Sequence, residues 1–280
     1  MIRGIFLKLS LNSKIRLNND VEMPRFGLGT WKTKGKDALN AVKWAIEAGY
    51  IHIDTASLYG NEKEIGQAIK ESKIRREDIF ITSKVWDSDQ GFDPTLKALD
   101  ISLKKLGTSY VDLYLIHWPR KQKRKETWTA LEKINKDEKA RAIGVANYWI
   151  HHIQEILENF EIIPAVNQFE LSPYLYREEL INFCRENNIA IEAYSPLTHG
   201  KKLNNLKLRN IAKKYNKSTA QILIRWGLQH GFIEIPKSTQ KEHIIQNADV
   251  FDFQLSEENM IVLNEIEENF QLLYDTSKWD

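Results

Sequence analysis

Asp54, Tyr59, Lys84 and His117 stand at or just beyond the ends of three short apolar runs, which begin at Tyr50, Ile79 and Val111. A lysine closing a run such as Ile79-Phe80-Ile81-Thr82-Ser83-Lys84 is carried at the rim of a buried sheet. An ammonium there is costly unless a counter-charge is near. Asp54, on the neighbouring run, can supply that charge, and Tyr59 follows five residues later, within reach of the same spot. A phenol titrates at about pH 10 and is a poor acid at neutral pH; an adjacent ammonium stabilises the phenolate and lowers that value. A neutral His117 at the next run can give a carbonyl oxygen a second hydrogen bond and set its orientation. The set suits proton donation to a carbonyl. Nothing beside it is suited to acyl or phosphoryl transfer, so a hydride must arrive from a cofactor.

Positioning these groups requires strands at a common edge. Strand-like runs begin near Phe26, Tyr50, Ile79, Val111, Ala140, Pro164, Ala190 and Gly231, with amphipathic stretches between them. Leu96, Leu99, Leu103 and Leu106 recur at helical spacing; Asp93 is the expected cap, Pro94 the first helical residue and Gly107 the left-handed stop. Leu39, Val42 and Ile46 mark another helix, ended by Gly49. One helix between successive strands implies parallel strands and right-handed crossovers. Eight such units predict an α/β fold of the (β/α)8 TIM-barrel type, for which about 250 residues is typical. A doubly wound open sheet would leave some of the runs unexplained. Chemistry in such a barrel sits at the C-terminal strand ends, here Asp54, Lys84, His117, Asn147, Gln168, Tyr194 and Lys237. Ile15 to Pro24, turning at Asn18-Asn19-Asp20, reads as a hairpin over the barrel floor, and residues 259–280 as a tail near the mouth. Residues 1–12 alternate weakly and receive no assignment.

The chain has 280 residues, with 40 Lys+Arg against 38 Asp+Glu and a formal net charge of +2. Near-balance offers no electrostatic footprint for nucleic acid. Cys184 is the only cysteine, so no intramolecular disulfide or cysteine-rich zinc site is expected, which suits a reducing compartment. The first 20 residues lack an uninterrupted apolar stretch and read as neither secretory signal nor membrane span. Without a linker or low-complexity tract, residues 1–280 read as one domain. The expectation is a cytoplasmic monomer with a small-molecule carbonyl partner, no nucleic acid, no membrane and no metal.

The motifs LNNDVEMPRFGLGTW, IHIDTASLYGNE, ITSKVW, LYLIHWP, ARAIGVANY, AVNQFELSPY, IEAYSPL, IPKS and VFDFQLS cover nearly the whole chain. In this order the sequence resembles the aldo-keto reductase family. The resemblance implies NADPH-dependent reduction of aldehydes or ketones, with NADH as a second cofactor. Its catalytic tetrad falls on Asp54, Tyr59, Lys84 and His117. Its nicotinamide contacts fall on Asn147 and Gln168 for the carboxamide and on Tyr194 for ring stacking, with Asp54 beside them. The pyrophosphate segment matches Ser195, Pro196 and Leu197, and the start-of-barrel contacts match Gly29, Thr30 and Trp31. The adenosine-phosphate region matches Lys237, Ser238 and Asn247. Three positions depart from the family pattern. Ala146 replaces a serine, and Gln246 replaces a glutamate. His243 stands where many members have an arginine, a stronger partner for a 2′-phosphate because its guanidinium is always charged.

Bland readings stand beside these. A lysine–aspartate pair at a strand end is often only structural; Tyr59 and His117 in matching order favour catalysis. His52 reads as a hydrogen-bonded core residue. The neighbours His151 and His152 are not expected on one helix face, which argues against a metal site. Gly27-Leu28-Gly29 is not a dinucleotide fingerprint. The basic run Arg120 to Lys125 reads as a solvated loop, with attraction of an anionic substrate as the sharper alternative. Trp31, Trp86 and Trp118, with Tyr59 and His117, suggest an aromatic substrate pocket. The loops after His117 and Leu197 look short, and no feature of the C-terminal tail maps to a ligand. Two rival functions remain at this level: a slow nicotinamide-binding redox sensor or accessory protein, and a Schiff-base lyase using Lys84. The intact tetrad argues against the first and the Asp54 counter-charge against the second.

Overall fold

A computed structural model describes residues 9–280; residues 1–8, part of the unassigned N-terminal segment, lie outside the described residues. The chain opens with the hairpin strands β1 (Lys14–Arg16) and β2 (Glu22–Pro24), then β3 (Leu28–Gly29), α1 (Gly35–Glu47), β4 (His52–Asp54), α2 (Glu62–Ser72) and β5 (Phe80–Val85). It continues with α3 (Phe92–Leu106), β6 (Val111–Ile116), α4 (Arg124–Lys136), β7 (Ala140–Ala146), α5 (Ile150–Asn159), β8 (Val166–Glu170), α6 (Glu178–Glu186) and β9 (Ala190–Tyr194). The last elements are α7 (Leu206–Tyr215), α8 (Thr219–Gln229), β10 (Ile233–Glu234), α9 (Lys241–Ala248) and α10 (Glu257–Asn264).

Strands β3 to β10 form one eight-stranded sheet in sequence order, with every pairing parallel. Its two edges meet. Phe26 bridges Glu234, the Gly27 N–H donates to the Glu234 carbonyl at 2.9 Å, and the Gly29 N–H donates to the Pro236 carbonyl at 3.2 Å. The fold is a (β/α)8 barrel, and each of the eight runs read from the sequence supplies one strand.

The floor is closed by the hairpin. Its turn places Asp20 in the left-handed region, at φ 69°, and the Asn18 and Asn19 amides donate to the carbonyls of Pro164 and Arg141, both 3.0 Å away. Leu17 and Met23 are thereby pressed into an interior cluster with Phe80, Leu113, Leu115, Ala142, Val166 and Ile233. This apolar plug keeps water from the lower barrel and leaves the upper interior to polar groups.

Helix α3 buries Leu99, Leu103 and Leu106 as their spacing requires, and Gly107 ends it at φ 70°, donating its N–H to the Leu103 carbonyl. Its start differs from expectation: Gly91 is the capping residue, and Asp93 lies inside the first turn with no capping hydrogen bond. The Thr127 hydroxyl, from α4, satisfies the Gly91 N–H instead, at 2.9 Å. A tertiary contact anchors the capping residue, and the first turn has no side-chain cap.

One outward-facing residue of β10 is unusual. The Glu234 side chain lies against α8, where a Cβ added at Gly227 would stand 1.6 Å from Glu234 Oε1. Glu234 is 1% exposed, its Oε2 has no hydrogen-bond partner, and burial pushes its carboxyl well above the usual carboxylate range. Among the described residues, no helix is long and apolar enough to cross a membrane.

Candidate active site

The predicted tetrad converges at the C-terminal rim of β4, β5 and β6. Lys84 is fully buried at the end of β5, and its Nζ donates to both Asp54 carboxylate oxygens at 2.7 Å and to the Thr55 carbonyl at 2.9 Å. Tyr59 Oη lies 3.5 Å from the same Nζ. The short helical turn carrying Tyr59 is tied down from three sides. The Ser57 hydroxyl donates to the Lys84 carbonyl, the Thr55 hydroxyl to Asn61, and the Asn61 amide to the carbonyls of Thr30 and Thr33. Fixing this loop to two strand ends holds the phenol in place without a charge of its own.

His117 completes the set. Its ring packs edge-on against Tyr59 at 5.7 Å and Trp86 at 5.2 Å, and its Nδ1 is buried without a hydrogen-bond partner. Burial, then the Lys84 ammonium, hold this imidazole well below the usual histidine range, so it is neutral. Tyr59 departs from expectation. Burial first, then the Asp54 and Glu192 carboxylates, push its hydroxyl well above the usual phenol range rather than below it. Lys84 is already engaged by Asp54, and the second carboxylate, Glu192, is absent from the sequence reading. A phenol in this surrounding is a held proton rather than a partly ionised one.

Glu192 enters through β9. Its Oε2 accepts from Gln168 Nε2 at 2.7 Å, and the same nitrogen donates to Asp54 Oδ2 at 2.8 Å. His52 lies beneath, 3.6 Å from Glu192 Oε1 through a ring nitrogen that also meets the Thr82 hydroxyl at 3.1 Å, the core role expected of it. The signal for Glu192 was available: an acid inside the apolar run Ala190-Ile191-Glu192-Ala193-Tyr194.

The remaining predicted contacts ring the mouth. Asn147, in the left-handed region at φ 63°, donates from Nδ2 to the His117 carbonyl at 2.9 Å and accepts from the Tyr194 hydroxyl at 2.7 Å. Gly29 ends β3, and the Thr30 hydroxyl donates to the Asp54 carbonyl at 2.8 Å. Trp31 faces His199 at 5.5 Å, and Ser195, at φ 52°, approaches the same imidazole with its hydroxyl at 3.1 Å. Pro196 and Leu197 follow in this segment, which runs from Tyr194 to α7 and contains a helical turn at Thr198–Gly200, so it is less spare than it looks in sequence. Lys237 and His243 are exposed, whereas Ser238 and Asn247 are buried at either end of α9. Ala146 belongs to the apolar interior, and Gln246 is exposed.

The tail carries features that its sequence did not show. Trp279 packs on Trp118 with ring centroids 5.5 Å apart, Tyr274 meets Trp118 edge-on at 5.8 Å, and Arg120 lies over Trp279 at 4.9 Å. His151 and His152 do share a side of α5: both place Nε2 on the Trp279 carbonyl, at 2.8 and 3.1 Å. The expectation that they diverge fails because the two rings fold toward one acceptor beyond the helix. The basic run is the solvated loop expected of it from Arg120 to Lys123, all exposed, but several of its charges are paired. Arg120 pairs with Asp87, Lys121 with Asp280, and Arg124, buried at the start of α4, with Glu155 and the Asp280 carbonyl. Glu170 receives the Leu272 and Leu273 N–H groups, fastening the tail at its other end.

Comparison with known proteins agrees with this geometry. Residues 25–268 match the model described as the Aldo/keto reductase family. The chain is 53% identical over 252 residues to a glyoxal reductase of Bacillus subtilis (strain 168), covering 90% of this chain and 91% of that one. It is 51% identical over 259 residues to the 9,11-endoperoxide prostaglandin H2 reductase of Trypanosoma cruzi (strain CL Brener), covering 91% and 92%. Among solved structures, an aldo-keto reductase enzyme from a Medee basin deep-sea metagenome library superposes with a TM-score of 0.93 at 46% identity, covering 95% of this chain and 99% of that one. A Bombyx mori aldo-keto reductase in complex with NADP superposes with a TM-score of 0.89 at 36% identity, covering 96% and 97%.

Proposed function

Because the chain belongs to the aldo/keto reductase family, we propose that it reduces aldehydes or ketones to alcohols with NADPH, with Tyr59 as the proton donor. The observation that carries the reading is the Lys84 ammonium set between the Asp54 carboxylate and the Tyr59 hydroxyl. Bound NADPH supplies the hydride for the carbonyl carbon. Tyr59 holds the proton that the carbonyl oxygen takes, and Lys84 stabilises the phenolate left behind. Asp54 keeps Lys84 aimed. The neutral His117 orients the oxygen and cannot compete with Tyr59 as an acid.

The residues at the nicotinamide end fit this cofactor. Gln168 spends its amide nitrogen on the Asp54 and Glu192 carboxyl groups, which leaves its oxygen for a carboxamide N–H. Asn147 is fixed by His117 and Tyr194 beside it, and Tyr194 offers its ring. Gly29, Thr30 and Trp31 line the entry; Ser195, Pro196 and Leu197 take the pyrophosphate, and Lys237, Ser238, His243 and Asn247 the adenosine phosphate. Trp31, Trp86 and Trp118 bound the carbonyl substrate. Residues 1–280 act as one domain, a monomer in the cytoplasm.

A steady-state assay tests the proposal: NADPH oxidation with glyoxal and a panel of aldehydes and ketones, run beside NADH. Turnover of at least one carbonyl, faster with NADPH than with NADH, is expected. Tight NADPH binding without turnover of any carbonyl would favour the sensor reading.

A further inference from the structure

Resting on the nicotinamide site just described, we propose that Glu192 is a positioning residue that fixes the Gln168 amide with its oxygen toward the cofactor. A glutamine amide can be turned either way, and only the surrounding donors and acceptors choose. Here Gln168 Nε2 lies between two acceptors, Glu192 Oε2 at 2.7 Å and Asp54 Oδ2 at 2.8 Å. With the amide reversed, its oxygen would face the Asp54 carboxylate, which has no proton to give it, and only one of the two contacts, that with Glu192, could be remade. Asp54 alone would fix the orientation less well, because both its oxygens are already taken by Lys84.

The arrangement also requires a proton. Asp54 and Glu192 are both buried and meet at one amide nitrogen, and two such acids do not both ionise at little cost. Asp54 has Lys84 in direct contact; Glu192 does not, and the other groups facing it are His52 below and Tyr59 above. The proton therefore belongs on Glu192. Consistent with this, burial and then Asp54 push its carboxyl up to about 8. As Glu192 ionises, the negative charge beneath Tyr59 and Asp54 increases.

The test reads NADPH affinity by fluorescence titration. Glu192→Leu and Gln168→Leu should each weaken binding about tenfold, the equivalent of one hydrogen bond, and the double variant should be no weaker than either single one. The conservative Glu192→Gln, which can still offer an oxygen to Gln168, should bind within about twofold of the wild type. Wild-type affinity in Glu192→Leu, or losses that multiply in the double variant, would overturn the proposal. A second arm needs neither cofactor nor the leucine variant: thermal midpoints of the cofactor-free wild type and Glu192→Gln from pH 5 to 9. A carboxyl raised in the folded state adds stability at low pH that is lost as pH rises. The wild type should therefore lose ground to Glu192→Gln with rising pH until the difference levels off above about 8. A constant difference across the range would remove the proton and the proposal with it. A wild type that binds no NADPH defeats the functional reading instead, while the thermal arm still reports on Glu192.

Discussion

Glu192 and Glu234 sit on adjacent strands, one register step from facing each other, yet their surroundings are opposite. Glu192 points into the barrel, where a glutamine amide receives it and an ammonium and a histidine stand near. Glu234 points outward into the layer between sheet and helix, against Gly227, with Oε2 unpartnered. Both carboxyls are pushed up by burial. The inner one has neighbours whose geometry depends on it; the outer one has none. The inside of this wall is organised around charge at the rim, and the outside is organised only by packing.

Removing the central cation should break the inner side most severely. Lys84→Met leaves Asp54 buried without its partner, which typically costs about 3–5 kcal/mol, and carbonyl reduction should disappear as well. Denaturant unfolding and a reductase assay read the two losses, and a variant that keeps both stability and turnover would dissolve the contrast. Tyr59→Phe should be almost as damaging to rate while sparing stability. The ring and its packing stay, so kcat should fall by about 100-fold or more with NADPH affinity nearly unchanged. A parallel loss of cofactor affinity would mean that Tyr59 binds rather than donates.

On the outer side the sign reverses. Glu234→Leu should stabilise the protein by about 1–3 kcal/mol at neutral pH, because an unpartnered buried carboxyl is replaced by an apolar side chain of similar size. Its folded-state carboxyl is raised, so the wild type loses stability as pH rises and the gain of the variant should grow from pH 5 upward. Chemical denaturation at several pH values checks this, and kcat should not change. Farther out, on the exposed face of α9, charge acts with the smallest effect. His243→Arg should tighten NADPH binding by about 1–2 kcal/mol through a guanidinium–phosphate contact and leave NADH nearly unaffected. Titration with both cofactors measures the difference.

The barrel and the tetrad were legible because their signals are local. Each strand run ends in the residue that the rim needs, and Asp54, Lys84 and His117 meet simply because β4, β5 and β6 are neighbours. Tyr59 needed only the short loop after β4. What stayed hidden depends on contacts between distant segments. The Trp279 carbonyl meets His151 from 128 residues away, and no spacing rule connects them. The direction taken by the Tyr59 phenol was misread for a related reason: Lys84 was counted, but Glu192, four strands farther along the barrel wall from Lys84, was not. The α3 cap differs because the helix begins earlier, at Phe92, with Gly91 as its capping residue, and Thr127 of the next helix anchors the Gly91 N–H.

The contact between Glu234 and Gly227 also constrains the order in which this protein can change over generations. A methyl group at position 227 would stand 1.6 Å from Glu234 Oε1, so alanine there requires that buried carboxyl to swing aside. Replacement of Glu234 by a smaller side chain opens the space, and Gly227→Ala, which favours the helix, then requires no rearrangement. Once alanine is in place, return to glutamate at 234 is disfavoured in turn, because the carboxyl would have to take another position. Two substitutions that are separately ordinary are thereby coupled in order, and descendants on either side would carry different histories in the same wall.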